Sequence, residues 1–379
     1  MKYSTCAVIA IITLGTVFGF QTPGLQQLST FQHKALSSSP KVTMVSSFFD
    51  NIFKGESSAT TPISTTKSFK VAVSGSSGMI GQALIKNLEG SNINGKPIQV
   101  LRITRKPGSA EDEVKWNPSK GTIDGEDLEG VDAVVHLAGE NVASGDGGIS
   151  GLLGTWTNAK KDRILTSRVQ GTQLLADTIA GLKNPPKVFV CSSAVGYYGY
   201  QGGAQEFTEQ SEVGDGFLAQ VCQEWEDSTK AASKKCRVVN LRTGIVLAAQ
   251  GGVLAKLMPL FQVGGGGNLG SGSQYMSWIS IRDMVNGIKF AIEKPSLSGP
   301  VNVVAPRPVT NAEFTQALAS AVSRPAIVPL PEPVGRVIFG QMGEEMLFGG
   351  QRVSASKLQK AGFNFEDENI NSALQNILV

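Results

Sequence analysis

The feature that most limits what this chain can fold into is the run SFKVAVSGSSGMIGQALIKNLEG, beginning at Ser68. It reads as a short β-branched strand, a glycine turn and an amphipathic helix in which Ile80, Leu84, Ile85 and Leu88 recur at helical spacing. Gly75, Gly78 and Gly81 fall in the turn as Gly-x-x-Gly-x-x-Gly. Glycine is needed there because the chain must bend tightly and bring backbone N–H groups against a pyrophosphate at the helix N-terminus, where the helix dipole favours negative charge. Glycines alone are weak evidence, but a strand before and a helix after meet the structural condition that makes the motif a nucleotide site.

The second strand, PIQVLRITRKP, ends in Thr104, Arg105 and Lys106, whereas a site selective for NAD usually places an Asp or Glu here to hold the ribose 2′-hydroxyl. With no acid at that point, Arg105 is expected to pair with a 2′-phosphate, with Lys106 nearby, which favours NADP; a solvated basic turn is the alternative. Next, GVDAVVHLAGEN gives an apolar strand from Val131 to Leu137 ending in the small residues Ala138 and Gly139, which let backbone approach a cofactor ribose. PPKVFVCSSAVGYYG gives another, Val188 to Cys191, with Ser192 and Ser193 at its C-terminal end. Ligands of doubly wound sheets bind at the carboxyl ends of strands, so hydroxyls placed there face the site.

Of 379 residues, 41% are hydrophobic and 17% charged, enough apolar material for one large domain or two smaller ones. The start of the chain stands apart. Lys2 precedes the apolar run CAVIAIITLGTVFGF, which has the length of a signal-peptide core and is short for the ~20 residues a spanning helix needs. The following FQTPGLQQLSTFQHKALSSSPKVTMVSS is rich in Ser and Thr and holds two Lys and no acid, the composition of an organellar transit peptide. The join TVFGFQTPG, with Phe20 at the expected cleavage point, resembles the bipartite presequences of complex plastids. An ER signal peptide over residues 1–20 and a transit peptide and linker over 21–67 are therefore expected to deliver the chain to the plastid stroma; simple secretion with a disordered linker is the alternative.

Lys2, Lys34 and Lys41 are the only charged side chains before Asp50, and without them 31 basic and 31 acidic residues remain, so nucleic acid is not an expected partner. Cys6, Cys191, Cys222 and Cys236 form no Cys-x-x-Cys or Cys/His cluster, and the last three read as reduced core thiols. With His33 and His136 the only histidines, neither a zinc site nor a His-based triad is expected; His136 lies in an apolar strand and reads as structural.

From Ser68 to Val379 the chain resembles extended short-chain dehydrogenase/reductases of the NAD-dependent epimerase/dehydratase superfamily. Within them it resembles the epimerase-family proteins once described as similar to the cell-division inhibitor SulA. The resemblance is carried by SGSSGMIGQAL, VVHLAGEN, WTNAKKDRILTSRVQGTQLL, SSAVGYYG, DGFLAQVCQEWE, VVNLRTGIVLAAQGGVLAKLMPLF and GPVNVVAPRPVTNAEFTQALA, in family order and spacing. It implies an α/β fold, a doubly wound parallel sheet (Rossmann) of about seven strands, with an NADP-binding domain over 68–300 and a smaller C-terminal region over 301–379 completing the substrate side.

The resemblance also implies NADP contacts from Gly75, Ser76, Ser77, Gly78, Met79, Ile80 and Gly81, from Thr104, Arg105, Trp116 and Asn117, and from Leu137, Ala138, Gly139, Glu140 and Asn141. In most short-chain dehydrogenases a Tyr-x-x-x-Lys pair follows the Ser strand, the lysine lowering the tyrosine's pKa so that it can act as acid or base. On the helix DGFLAQVCQEWE those positions hold Phe217 and Val221, neither of which can carry a proton. Arg168 stands where the family commonly has a supporting Asn before the GT of the preceding helix.

Three functional readings follow. An enzyme with an atypical catalytic set could use Tyr197 or Tyr198 as acid/base beside Ser192 or Ser193. Lys161, Arg163, Arg168 or Arg242 would then bind an anionic small-molecule substrate or depress a tyrosine pKa, and Arg282 could hold the site or a nearby loop. An NADP-binding regulator without turnover is the second reading, with a protein partner in plastid division suggested by resemblance alone. A purely structural protein is the third.

Farther along, VGGGGNLGSGSQ, between Val263 and Gln274, holds six glycines and reads as a flexible loop able to close over a substrate. YMSWISIRDMVNGIKFAIEK reads as a short strand and then a helix capped by Asp283 or Ser280, with Trp278 and Ile281 in the core. In LPEPVGRVIFGQMGEEMLFGG, the residues Val334, Val337, Ile338, Met342, Met346 and Leu347 follow helical spacing as a packing stripe.

Overall fold

Valine-rich runs without polar alternation make strands that are buried on both faces, and helices must then cover both sides of the sheet. A computed structural model describes residues 67–106, 112–144 and 155–378, and the expected presequence up to residue 66 lies outside the described residues. The first half runs β1 (Phe69–Ser74), α1 (Met79–Leu88), β2 (Asn92–Ile93), β3 (Lys96–Thr104), β4 (Glu113–Asn117), β5 (Thr122–Ile123), β6 (Ala133–His136), α2 (Asn158–Gly181) and β7 (Val188–Ala194). Then come β8 (Gln201–Phe207), α3 (Phe217–Asp227), β9 (Arg237–Thr243), β10 (Ile245–Ala248), α4 (Gly252–Gln262), β11 (Tyr275–Met276), β12 (Trp278–Ser280), α5 (Ile281–Glu293) and β13 (Gly299–Val303). The chain finishes with β14 (Val309–Thr310), α6 (Asn311–Ala321), α7 (Glu332–Gly343), β15 (Gly350–Val353), α8 (Ser356–Ala361) and α9 (Ile370–Leu378).

The main sheet has the order β13-β9-β7-β6-β1-β3-β4-β5, with β2 beside β3. The seven strands from β13 to β4 are parallel, as expected. Among the described strands of this sheet, only β2 and β5 pair antiparallel. Because β3 and β6 flank β1, the strand order reverses at β1, and the crevice for a ligand opens beyond its carboxyl end.

One face is packed by Val71, Val73, Val135, Val190 and Leu241 against α1 and α5. On the other, Val114, Trp116, Val134, Phe189 and Cys191 meet Leu175, Ala176 and Ile179 of α2 and Trp225 of α3. A separate apolar cluster joins α4, α6 and α9 through Leu254, Phe261, Phe314, Leu318 and Leu374.

Four details depart from or decide the sequence expectations. A boundary between residues 300 and 301 cuts β13, whose Val301 and Val303 pair with Leu241 and Thr243 at the edge of the sheet. The glycine-rich segment after Val263 is packed rather than free. Gly266 and Asn268 accept backbone bonds from Val328 and Leu330, and a Cβ on Gly267 would lie 2.2 Å from the Val328 carbonyl oxygen, so the glycines serve close backbone approach. The stripe on α7 is rotated in part: Val334 and Val337 are exposed and Gly335 and Phe339 are buried instead, while Met342 is buried as expected. Gly335 sets that phase, since a Cβ there would meet the Phe348 ring at 2.1 Å. Finally, Ser280 caps α5 by accepting from the Asp283 N–H, whereas the buried Asp283 carboxylate takes the N–H groups of Glu366 and Asp367.

Candidate functional site

The turn between β1 and α1 has the shape its glycines require. Gly75 has φ +71°, and a Cβ there would lie 2.7 Å from the Leu137 carbonyl carbon. A Cβ on Gly81 would lie 2.2 Å from the Gly75 carbonyl oxygen. Gly78, the N-cap of α1, offers no capping side chain, so the first N–H groups of the helix are not claimed by a cap. The resulting cradle, walled by bare backbone and ending at a helix N-terminus, fits a dinucleotide pyrophosphate. Ser76, Ser77, Met79 and Ile80 lie in or beside it, and Met79 is also the contact of the Gly251–Gly252 turn that opens α4.

Thr104 ends β3 and Arg105 follows it, exposed, beyond the carboxyl edge. β4 runs past its last pair with β3, Thr104 to Lys115, so Trp116 and Asn117 also reach that edge. Their side chains diverge. Trp116 is 4% exposed and stands edge-on to His136 at 5.8 Å, so it is part of the floor, while Asn117 Oδ1 accepts from Ser119 and is half-buried.

Leu137 to Asn141 continue from β6, and three groups beyond the sheet pin this segment and the residues after it. Lys160 Nζ donates to Glu140 Oε1 at 2.6 Å and to Ser144 Oγ at 3.0 Å. Trp156 Nε1 donates to the Val142 carbonyl, and Lys256 Nζ to the Ala143 carbonyl. Lys160, not its expected neighbour Lys161, is the buried member at 1% exposure. Helical phase could have found it, because it precedes the buried Ile164 by one turn. Lys161 instead places its ammonium 5.6 Å over the Phe217 ring. Arg168 Nη1 donates to the Glu140 carbonyl at 3.0 Å, and Arg163, on the same helix, is exposed.

The Ser-Ser end of β7 opens into a polar network. Ser193 Oγ donates to Glu226 Oε1 at 2.7 Å, and Arg242 holds both oxygens of that carboxylate at 2.8 and 2.9 Å. Arg242 also donates to the Tyr198 hydroxyl, which donates to Asn302 Oδ1 at 2.6 Å, while Asn302 N–H donates to Glu209. Tyr198 is 3% exposed and burial pushes its pKa up to about 12, despite the opposing Arg242 charge. Such a hydroxyl, engaged both ways, is placed to hold Arg242 and Asn302 together rather than to exchange protons with a ligand.

Tyr197 lies under Arg242, 3.4 Å from guanidinium carbon to ring centre. Ser192 is half-buried and is the more exposed of the pair. Arg242 is therefore neutralised by Glu226. Arg282 is likewise engaged by Glu366 and Asp367 at 3.1 and 2.8 Å, anchoring the C-terminal segment instead of the site, as its position at the start of α5 dictates. Glu226, Glu209, Asn302 and Lys160 were not singled out in the sequence. Glu226 follows the buried Trp225 and lies one turn beyond the buried Cys222 on α3, a placement that calls for a buried cation as partner.

Phe217 opens α3 and Val221, 2% exposed, packs inside it. The Phe217 and Leu218 N–H groups both donate, at 2.9 Å, to the carboxylate of Glu345 from the C-terminal region, so this helix terminus is closed to other anions.

His136 is structural. Its Nδ1 is 2.5 Å from Ser74 Oγ, and burial lowers its pKa to about 3, with the Arg168 charge adding to the effect. The unfolded chain takes up this proton below about pH 6.5 and the folded one does not until about pH 3. Stability is therefore complete above pH 6.5 and is lost as pH falls. Urea unfolding should show a loss of about 2 kcal/mol between about pH 7.5 and 5 that is absent in His136→Gln; parallel pH slopes in the two proteins would show that the ring is not held neutral.

Residues 71–304 match the NAD dependent epimerase/dehydratase family, and residues 330–377 match a domain of unknown function, DUF1731. Over 305 residues the chain is 43% identical to "Epimerase family protein Mb2239" of Mycobacterium bovis, covering 80% of this chain and 96% of the relative. It is 35% identical over 316 residues to "Epimerase family protein SDR39U1 homolog, chloroplastic" of Arabidopsis thaliana, covering 81% and 86%. The crystal structure of human epimerase family protein SDR39U1 (isoform 2) with NADPH superposes with a TM-score of 0.72 at 33% identity, covering 82% of this chain and 99% of that one. With its glycine cradle, seven parallel strands and these relatives, the chain belongs to the NAD dependent epimerase/dehydratase family.

Proposed function

We propose that this chain binds NADP(H) at the Gly75–Gly81 turn and acts as an oxidoreductase or epimerase on a small molecule, using an acid/base set other than Tyr-x-x-x-Lys. The observation that carries the reading is the cradle itself: backbone at Gly75 and Gly81 leaves no room for a Cβ, and the helix behind it has no capping side chain. The exposed Arg105 stands where the ribose 2′-phosphate would reach, and no acid follows β3 directly. NADPH in the human relative supports the same choice.

When bound, the nicotinamide supplies a hydride donor or acceptor. Leu137 to Asn141 back the cofactor, and the Ser192 and Ser193 hydroxyls at the end of β7 are the groups available to hold a substrate oxygen. The Ser193 hydroxyl donates its hydrogen bond to Glu226, which leaves its oxygen lone pairs to accept.

Arg105→Ala is expected to weaken NADPH by about tenfold or more and to leave NADH within about twofold, read by titration of the chain. Equal losses for both nucleotides would remove Arg105 from the 2′-phosphate, and no binding of either by the unaltered chain would end the cofactor reading.

A second reading, an NADP-binding regulator without turnover, is favoured by Phe217 and Val221 on α3, neither of whose side chains can move a proton. A metabolite screen with the loaded protein separates the two. A plastid address belongs to the proposal as well, supported by the leader's composition and by the chloroplastic designation of the Arabidopsis relative. A partner in plastid division rests on resemblance and is tested by co-purification from plastids.

A further inference from the structure

Two cations on one side of α2 have no acid partner among the described residues. Lys161 and Arg168 are seven residues apart, close to two full turns, so both project toward the same neighbour. That neighbour is α3: the Lys161 ammonium stands over Phe217, and the Arg168 guanidinium is 4.9 Å from the centre of the Trp225 ring. The guanidinium also lies against Gly139, where a Cβ would come within 3.2 Å of its central carbon. Three carboxylates of the described residues near these cations are already engaged. Glu140 is paired with Lys160, Glu226 with Arg242, and Glu345 with the N-terminus of α3.

Burial of a guanidinium without a counter-ion is unfavourable, and desolvation holds the Arg168 pKa below its ordinary value. Among the described residues only Nη1 is satisfied, by the carbonyls of Glu140 and Ile164 at 3.0 and 3.1 Å. What remains is the Nε and Nη2 edge, whose two parallel N–H bonds grip a carboxylate or phosphate side by side. Arg168 as a whole is half-buried rather than closed off. It also adjoins the cradle, since Gly139 lies two residues beyond Leu137, the segment against which Gly75 packs.

We propose that Arg168, assisted by Lys161, anchors an anionic oxygen group, a carboxylate or phosphate, of the small molecule that reacts beside the cofactor. The inference rests on the reading that a dinucleotide fills the Gly75–Gly81 turn. It makes the substrate an anion, and it gives the Arg at position 168 a role that the family's usual Asn could not perform.

The test titrates inorganic phosphate, and separately acetate, into the full chain with and without saturating NADPH, following thermal unfolding against matched potassium chloride. The expected result is saturable stabilisation of the NADPH-loaded protein by at least one of the two anions, weakened about tenfold or more in Arg168→Gln and about threefold in Lys161→Gln, with NADPH affinity changed less than about threefold. Arg168→Lys keeps the charge without the fork and should retain an intermediate affinity, which keeps the test readable if Arg168→Gln does not fold.

Absence of saturable binding of either anion, or binding unchanged in both Arg168 variants, overturns the proposal. So does a tenfold loss of NADPH affinity in Arg168→Gln combined with competition between NADPH and phosphate, since the anion would then be the cofactor's own. Failure of NADPH to stabilise the unaltered chain is the separate failure of the cofactor reading; the titration of cofactor-free protein still reports on Arg168.

Discussion

Gly81→Ala is expected to lower stability by about 2–3 kcal/mol and to cost at least about a hundredfold in NADPH affinity. The single added carbon would sit 2.2 Å from the Gly75 carbonyl oxygen and 2.9 Å from both the Gly75 carbonyl carbon and the Ser76 Cα. All three neighbours are backbone, so no side chain can swing away; the turn must open, and with it the N–H groups that face the pyrophosphate. Gly181→Ala is the matched control. That glycine ends α2 with nothing within 4 Å of a Cβ, and alanine there should be neutral or slightly stabilising. Thermal unfolding of the three proteins with and without NADPH decides the matter: near-normal NADPH stabilisation of Gly81→Ala would mean that the cradle is not where the nucleotide binds.

Glu226→Ala should be the most damaging change in the polar network, at about 3–5 kcal/mol. Among the described residues its carboxylate is the one acid paired with Arg242, which is 3% exposed, and it also accepts from Ser193. Removing it leaves a buried guanidinium without a counter-ion. Replacing Glu226 and Arg242 together by Met removes the charge problem and should recover at least about half of the loss, leaving Tyr198 and Ser193 with one partner fewer. A double-substitution cycle in denaturant measures this coupling. Additive losses in the two single variants would show that the pair is not acting as a buried ion pair.

The same network explains why a tyrosine in the expected place is a poor acid/base. Tyr198 lies beside the Ser-Ser strand end as the sequence suggested, but its hydroxyl is divided between Arg242 and Asn302 from β9 and β13. Those strands lie about 45 and 100 residues away in the chain, and no local pattern announces their register with β7. The Glu345 carboxylate on the N-terminus of α3 is a longer-range case still.

Local pattern alone determined the strand, turn and helix around Gly75, the apolar strands ending near Leu137 and Cys191, the structural reading of His136 and the basic residue after β3, because each is written in adjacent residues through periodicity, glycine or the absence of an acid, whereas the seven-stranded parallel sheet followed from the family resemblance. Tertiary structure alone decided that Arg242 and Arg282 are spent on ion pairs while Arg168 has none among the described residues, and that the glycines after Val263 are packed against residues 326–330. The physical reason is common to all of these. Which charge is free depends on which carboxylate is delivered beside it from a distant element, and only the packing of α2, α3, β9 and β13 at the carboxyl edge of the sheet settles that pairing.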